Sequence, residues 1–393
     1  MATPASSRLS SLALPGVRRA ISGISPETRR LILRAVLFTL AVRIAMLMAA
    51  YAIGYGVLGL DGQPATEVFR RTLDRWDAFN YKLIAEHGYP PQGANYQQVI
   101  VFLPLYPYAV RAVEFIIPSF LVAGMLISGV ASVFAGYFLQ ALVRSDGGDE
   151  SEAGRALWYF FLFPTAYFLV LPYTEALFMA LLLGSFYNAR RGNWLWAGAL
   201  GGFCTATRIT GVVLLPALVI EALHQANWRR PEWRSLYLAL VPAGFLVYLG
   251  INYHIHGDAV AFVDFEKQYW FHHAVTPWSN LRDAWGWLWE APGSDRFLIY
   301  ELLLISTVLV GGLLTVGAGF LRPSYLVFGW LALLMFLSTS FNISMARYVL
   351  TIFPIYFVLA RMTRNPEINQ ALLAVSTVLM ATFFVIYARS WGF

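Results

Sequence analysis

The chain has 393 residues, of which 58% are hydrophobic and 13% are charged, with a formal net charge of +6 at pH 7. Soluble globular proteins carry about 25% charged residues, so this composition excludes an ordinary soluble domain and indicates a membrane protein. The basic residues are spread over short segments, without a basic domain that could follow a phosphate backbone, which excludes a nucleic-acid partner. The single cysteine, Cys204, excludes an internal disulfide.

The first 30 residues are rich in Ser, Pro and Arg and lack the apolar core of a signal peptide. We interpret residues 1–30 as a flexible cytosolic tail. Residues 31–393 then form one transmembrane domain whose first span is an uncleaved anchor.

Apolar segments long enough to cross about 30 Å of hydrocarbon recur from residue 31 onwards. Polar and apolar residues rarely alternate along them, so the sequence predicts an all-α polytopic membrane protein and not a closed barrel. The pattern predicts about eleven transmembrane helices. They are expected near residues 33–56, 119–143, 155–171, 173–189, 194–207, 208–224, 236–253, 297–320, 324–340, 348–362 and 368–389.

Arginines cluster in alternate connections between these segments, which predicts a cytosolic N-terminus by the positive-inside rule. Two long loops, at about residues 57–118 and 254–296, then lie on the outer face. Both are dense in Trp, Tyr and Phe, which favour the headgroup zone. Within the first loop, VFLPLYPYAVRAVEFI is too short to span and is predicted to form an interfacial helix.

The stretch LDRWDAFNYKLIAEHGYPP, residues 73–91, concentrates charge and aromatic rings in the first outer loop. Asp74 and Asp77 are three residues apart, so on a helix they share one face, where one of two repelling acids retains its proton. Such a pair suits general-base chemistry. The alternative is a solvated interfacial helix in which the acids pair with Arg75 and Lys82. The residues predicted to bind substrate here are Asp74, Trp76, Tyr81, Glu86, His87 and Tyr89.

Three further charged residues lie near the predicted outer ends of spans. Glu175 is predicted to contact substrate hydroxyls, with a favourable helix-dipole position as the alternative. An arginine at the membrane edge is costly unless it is paired, and its planar fork matches phosphate oxygens. Arg208 and Arg347 are therefore predicted to bind a phosphate, with Lys82 in reserve. The alternative is pairing with a bundle carboxylate such as Glu175.

The sequence contains no Walker loop, dinucleotide fingerprint or nucleophile elbow, so no cofactor is expected. A zinc site among His254, His256, His272 and His273 is disfavoured because no cysteine accompanies them. We therefore predict no bound metal, although a divalent metal stays open.

The motif RWDAFNYKLIAEHGYP, followed by FLPLYP, resembles the first outer loop of the PIG-V-like mannosyltransferases, a family of the GT-C superfamily. Weaker matches follow in family order as FPTAYFLVLPYTEALF, TATRITG, HGDAVAFVDFEKQYW and ARYVLTIFPIYF, so the resemblance runs from about residue 74 to 357. The FLPLYP segment is closer to bacterial and archaeal relatives. This indicates a prokaryotic-type member in a plasma membrane, and glycolipid-anchor synthesis is not carried over.

The resemblance implies a GT-C-like bundle in which Asp77 of the Trp76-Asp77 pair is the catalytic aspartate. It also implies a polyprenyl-phosphate mannose donor and a reaction on the non-cytosolic face. We hypothesise inverting transfer of a sugar to a glycan, lipid or protein acceptor, with membrane lipid as the surrounding partner. The alternative is a lipid-linked sugar transporter or flippase without transferase chemistry.

Overall fold

The computed structural model describes residues 25–290, 295–341 and 343–389, so most of the predicted tail, residues 1–24, lies outside the described residues. Within these ranges the chain is helical, and its only strand-like pairing is an isolated bridge between Ala274 and Thr339. The α-helices in chain order are α1 Pro26–Gly56, α2 Ala65–Leu73, α3 Asp77–His87, α4 Leu105–Glu114, α5 Phe120–Ser145, α6 Glu150–Phe161, α7 Glu175–Arg190, α8 Trp194–Thr205, α9 Leu214–Gln225, α10 Ala243–His256, α11 Ala261–Tyr269, α12 Pro277–Glu290, α13 Asp295–Gly317, α14 Pro323–Leu337, α15 Met345–Tyr348, α16 Pro354–Met362 and α17 Pro366–Ala388. Short 3₁₀ helices lie at Gln97–Val101, Ala166–Leu169, Ile209–Val213, Trp233–Leu240 and Val349–Thr351.

Among the described residues, five helical segments are long and apolar enough to cross a membrane. They are Pro26–Gly56, Phe120–Ser145, Trp233–His256, Ile299–Gly317 and Pro366–Ala388. A sixth span results if Met345–Thr351 and Pro354–Met362, which meet at 80°, are taken as one broken helix. The polytopic all-α architecture is thus confirmed, but the number of about eleven spans is not.

Four of the predicted spans, at residues 155–171, 173–189, 194–207 and 208–224, coincide with short helices. Helix α6 ends at Phe161 and α7 begins at Glu175, while α8 ends at Thr205 and α9 begins at Leu214. Turns and 3₁₀ helices fill both gaps, and prolines and glycines occur there, as in Leu171-Pro172 and Thr210-Gly211. The short helices that result are packed inside the bundle, and the gaps bring irregular backbone into it.

Helix α7 lies at the centre of the bundle, packed between α5 and α8. Most of its side chains are buried. Close approach of neighbouring backbones also holds α8 against the segment 233–256, because a Cβ atom at Gly244 would overlap the carbonyl oxygen of Gly202. Glycine is required there for steric reasons alone.

The C-terminal end of α7 carries a set of charges, which we call the basal ion cluster: Asp146, Arg190, Glu221 and Arg322. The Glu221 side chain is fully buried, and the other three are partly exposed. Arg190 donates to Asp146 at 2.6 Å and lies 3.7 Å from Glu221. Arg322 donates to both carboxylate oxygens of Glu221, at 2.8 and 3.1 Å. The cluster joins the ends of α5 and α7 to α9 and the residue before α14, and its charges are balanced.

Candidate active site

Four charged side chains from distant parts of the chain meet at the opposite end of α7, and we call them the ion quartet: Asp77, Glu175, Arg208 and Arg347. Asp77 is the first residue of α3, and Glu175 is the first residue of α7. Arg208 lies in the turn after α8, and Arg347 lies on α15. Both acids therefore sit where a helix dipole favours negative charge.

Arg347 bridges the two acids of the ion quartet. Its Nη1 donates to Asp77 Oδ2 at 2.5 Å, and its Nε donates to Glu175 Oε1. Arg208 Nη1 donates to the same Glu175 oxygen at 2.5 Å and to Thr174 Oγ1 at 2.9 Å. The two positive and two negative side chains balance, so their burial carries no net formal charge.

Aromatic rings cover the guanidinium groups of the quartet. The Arg347 guanidinium lies 4.8 Å from the ring centre of Phe168 and 4.7 Å from that of Tyr173, and Arg208 lies 5.5 Å from the ring of Tyr348. Such cation–π contacts stabilise a desolvated cation. The side chains of Glu175 and Arg347 are 0% and 5% exposed, whereas that of Asp77 is 25% exposed. Asp77 is thus the more accessible of the two acids.

Asp74 and Asp77 do not share a helix face, so this part of the sequence prediction is wrong. Helix α2 ends at Leu73 and α3 begins at Asp77, and between them Trp76 adopts φ of 56°, a backbone conformation that is rare for a residue other than glycine and that a continuous helix cannot contain. The backbone carbonyl of Arg75 accepts a hydrogen bond from the Tyr173 hydroxyl at 2.7 Å. Tertiary contacts therefore hold this turn in place.

Asp74 lies in a different environment from its predicted partner. Burial raises its pKa, an effect that the neighbouring Lys82 and Arg70 oppose, and its Oδ1 atom is buried without a hydrogen-bond partner. The charges that act on it most strongly are Lys82, Arg70 and Glu86, and not Asp77. A raised pKa was expected from repulsion between the two acids, but its cause is desolvation.

The other predicted substrate-binding residues follow α3 away from Asp77. The Tyr81 ring is buried, one turn after Asp77, and packs edge-on against Phe102 and Tyr173 with ring centres 5.0 and 6.1 Å away. Burial raises the pKa of its hydroxyl, so the phenol stays neutral. Tyr89, beyond the end of α3, donates from its hydroxyl to the Phe102 carbonyl oxygen at 2.5 Å.

The remaining predicted residues are at the surface of this region. Trp76 is 45% exposed. Lys82 and His87 both approach the Glu86 carboxylate, at 3.9 and 3.8 Å. Lys82 therefore lies among acids on α3 and is not one of the cations paired with Glu175.

Glu175 is the residue whose surroundings differ most from the predicted role. Its side chain contacts two arginines and is fully buried, which matches the ion-pair alternative left open for Arg208 and Arg347. Its Oε2 atom is buried without a partner. Sequence reasoning also missed Thr174, Phe168 and Tyr348 as members of this region. The interruption at Leu171-Pro172-Tyr173-Thr174 is the signal that could have identified Thr174.

The histidines do not form a metal centre with acids or cysteine. Across residues 25–290, 295–341 and 343–389, no group of three or more His, Cys, Asp or Glu side chains is arranged to hold a metal ion. His272 Nδ1 lies 2.9 Å from Glu266, and His273 Nδ1 lies 2.9 Å from the Ser340 hydroxyl. Both rings are thus engaged by side chains of the protein.

A family model described as mannosyltransferase (PIG-V) matches residues 62–250. GPI alpha-1,6-mannosyltransferase 2 of Cricetulus griseus is 32% identical over 151 residues, which are 36% of this chain, and the enzyme of the same name in Homo sapiens is 30% identical over 151 residues. The aligned part spans only 30% of the length of either relative. No solved structure matches the chain. The resemblance indicated by the sequence motifs is thus confirmed over residues 62–250, and for the motifs beyond residue 250 it stays a prediction.

Proposed function

We propose that this protein is an inverting glycosyltransferase that moves a sugar, with mannose as the expected one, from a polyprenyl-phosphate donor to an acceptor hydroxyl. The observation that carries the proposal is the bridge from Arg347 to Asp77 and Glu175. This bridge joins Asp77, the aspartate of the Trp-Asp motif, to the buried guanidinium of Arg347. The planar N–H donors of a guanidinium match the oxygens of a phosphate. The family match supports the sugar chemistry.

In the proposed reaction, Asp77 accepts the proton of the acceptor hydroxyl while that oxygen attacks the anomeric carbon of the donor sugar. The bond between the anomeric carbon and the phosphate oxygen breaks, and the polyprenyl phosphate leaves with the bonding electron pair. Attack from the face opposite the phosphate inverts the anomeric configuration. General-base assistance of this kind contributes about 10²–10⁴-fold in rate.

Arg347 and Arg208 are proposed to stabilise the negative charge that develops on the leaving phosphate. The bonds of Arg347 to Asp77 and Glu175 occupy only part of the N–H donors of a guanidinium, so it retains donors for a phosphate oxygen. Fixed donors in a site shielded from water stabilise such charge without reorganisation. Lys82, on the same helix as Asp77, remains the alternative candidate for binding the phosphate.

We propose that Glu175 positions the two arginines and does not bind the sugar itself. It contacts both guanidiniums through one oxygen and has no exposed surface. A buried carboxylate of this kind keeps both cations charged and oriented in a region of low polarity. Asp74, Trp76, Tyr81, Glu86, His87 and Tyr89 stay as proposed substrate-binding residues.

We further propose that the reaction takes place on the non-cytosolic face of a prokaryotic plasma membrane, within a GT-C-like bundle. The arginine distribution along the chain supports this orientation, with the basal ion cluster towards the cytosol and the ion quartet towards the outside. A membrane-embedded donor presents its scissile bond at headgroup level, where the quartet would then lie.

The test uses purified full-length protein in nanodiscs, a synthetic polyprenyl-phosphate mannose, an alkyl mannoside that supplies the acceptor hydroxyl, and a measurement of released polyprenyl phosphate. Asp77→Asn is expected to lower release about 10²–10⁴-fold, because asparagine cannot accept the proton. Asp61→Asn, an exposed residue of the same loop, is the control and should release lipid phosphate at the rate of the unchanged protein. Normal release by Asp77→Asn would remove Asp77 from the mechanism. Donor binding without release by the unchanged protein would favour the transporter alternative.

A further inference from the structure

The backbone between α6 and α7 lies inside the bundle without forming an α-helix, and we call residues 165–174 the unwound segment. Apart from the 3₁₀ helix Ala166–Leu169, it consists of turns and bends, and every one of its residues is buried. It packs beside α5, which is long and apolar enough to cross a membrane. Carbonyl groups that lie outside a helix at such a depth need hydrogen-bond donors from the protein.

Two serines of α5 supply such donors to the unwound segment. Ser128 Oγ donates to the Leu171 carbonyl oxygen at 2.8 Å and lies 3.5 Å from the Tyr173 carbonyl oxygen. Ser132 Oγ lies 3.1 Å from the Leu169 carbonyl oxygen and also bonds within its own helix. Both serines are buried. Ser128 is roughly 12 Å from the start of α5 at ~1.5 Å per residue, so the bond to Leu171 forms well inside the helix.

The same face of α5 leaves room for Pro172. Gly124 precedes Ser128 by four residues, so the two lie on one side of the helix. A Cβ atom at Gly124 would lie 2.7 Å from the Cβ atom of Pro172, which is closer than two carbon atoms can pack. Close packing and hydrogen bonds therefore both hold the unwound segment against α5.

From this position the unwound segment contacts three of the backbone regions that carry the ion quartet. The Tyr173 hydroxyl donates to the carbonyl oxygen of Arg75 at 2.7 Å, in the turn that leads into α3. Thr174 accepts a hydrogen bond from Arg208 at 2.9 Å and directly precedes α7, whose first residue belongs to the quartet. The segment thus joins the turn before α3, the start of α7 and the turn after α8.

The fourth region is α15, which the unwound segment holds at its backbone as well as at a side chain. Thr165 Oγ1 donates to the Ala346 carbonyl oxygen at 2.9 Å, one residue before Arg347. The rings of Phe168 and Tyr173 cover the Arg347 guanidinium. Helix α15 has four residues, and a helix this short is not stable through its own hydrogen bonds. The position of Arg347 therefore depends on contacts such as that of Thr165.

We propose that Ser128 and Thr165 are positioning residues for the transfer reaction. Ser128 fixes the unwound segment against α5, and Thr165 fixes the backbone that carries Arg347 to this segment. Neither hydroxyl takes part in a chemical step, and the inference rests on the proposed function for the reaction itself. Fixed donors stabilise the charge of the transition state only where they are correctly placed, so displacement of Arg347 lowers turnover more than donor binding.

The kinetic test compares variants that remove or keep a hydroxyl in the release assay described above. Ser128→Ala and Thr165→Val should each lower kcat about 10–100-fold while the KM for polyprenyl-phosphate mannose stays unchanged. Thr165→Ser keeps the hydroxyl and should restore most of the turnover. Ser145→Ala is the control on α5, because the Ser145 hydroxyl bonds to the Ala141 carbonyl of its own helix, and it should turn over at the rate of the unchanged protein.

A second readout requires no transfer activity and measures the thermal unfolding midpoint in one detergent. If Thr165 positions Arg347 against Glu175, Glu175→Gln should lower the midpoint less in Thr165→Val than in the unchanged protein. A threonine that only supports the fold would lower the midpoint by the same amount with or without Glu175→Gln. Ser145→Ala combined with Glu175→Gln is the control, and its effects should add.

Additive midpoint losses for Thr165→Val and Glu175→Gln would overturn the proposal. An unchanged kcat in both Ser128→Ala and Thr165→Val would also overturn it. So would equal losses of turnover in Thr165→Ser and Thr165→Val, because the hydroxyl would then not be the cause. If the unchanged protein releases no lipid phosphate, the proposed function fails, and the unfolding comparison alone decides whether Thr165 positions the quartet.

Discussion

Replacing Glu175 by glutamine removes one negative charge from the ion quartet while keeping the size of the side chain. In the unchanged protein, this carboxylate is the shared partner of Arg208 and Arg347. After the change, Asp77 alone faces two guanidiniums. One buried positive charge is then left without compensation.

The expected loss follows from the burial of all three groups. The side chains of Glu175, Arg347 and Arg208 are 0%, 5% and 11% exposed, so solvent screens their interaction weakly. Breaking one partner out of a buried ion pair costs about 3–5 kcal/mol, because the remaining charge keeps its desolvation penalty. We therefore expect Glu175→Gln to lower the free energy of unfolding by about 3–5 kcal/mol.

Glu67 offers a matched control, because its carboxylate also accepts hydrogen bonds from two arginines, Arg70 and Arg71. Those arginines are 56% and 50% exposed, so water compensates for a lost partner and Glu67→Gln should leave the stability unchanged. The measurement is unfolding of both variants by heat and by denaturant in the same detergent.

If the loss of stability comes from the unbalanced charge, a second substitution that removes one arginine should restore part of it. Adding Arg208→Gln to Glu175→Gln removes the excess positive charge, so the double variant should be more stable than Glu175→Gln alone. If Glu175→Gln is no less stable than Glu67→Gln, or if the second change only adds to the loss, the buried-charge argument is refuted.

Two further changes test other parts of the structure. Burial raises the pKa of Asp74 in the folded protein above its ordinary 3.8. As pH rises, the unfolded chain therefore loses this proton first, and the folded protein loses stability until its own Asp74 ionises. This stability returns as pH falls below the pKa of Asp74 in the folded protein. Asp74→Asn should therefore be more stable than the unchanged protein at neutral pH, with the difference shrinking on acidification in thermal unfolding; a constant difference would contradict this cause. Gly244→Ala should lower the unfolding free energy by about 1–3 kcal/mol through overlap with the Gly202 carbonyl, whereas Gly250→Ala on the same helix should change it far less. Equal effects in denaturant unfolding would show that the close approach at Gly244 relaxes without cost.

Hydropathy was sufficient to predict a helical membrane protein and most helix positions, since burial in lipid demands long apolar stretches with internal backbone hydrogen bonds. It does not fix the number of spans, because apolar residues inside the bundle and residues facing lipid have the same composition. Helix α7 illustrates this, with most of its side chains in the protein core. Its apolar sequence shows that the helix is buried, but it does not distinguish burial in the protein core from burial in lipid.

The cost of an arginine at the membrane edge drew attention to Arg208 and Arg347, and the structure pairs both with Glu175, as the ion-pair alternative predicted. Their binding of a phosphate stays a prediction. The relation between Asp74 and Asp77 could not be obtained in this way. It depends on the positive φ of Trp76 and on the hydrogen bond from the Tyr173 hydroxyl to the carbonyl of Arg75, 98 positions away along the chain. Contacts of such separation leave no local pattern in the sequence.

Helix α7 is tied by charge at both ends, through Glu175 to the quartet and through Arg190 to the basal ion cluster. These anchors are roughly 22 Å apart at ~1.5 Å per residue. Sliding or rotation of the helix would break ion pairs at both of its ends simultaneously. The helix is therefore held in a fixed position, and any rearrangement that admits a bulky lipid must come from the elements around it.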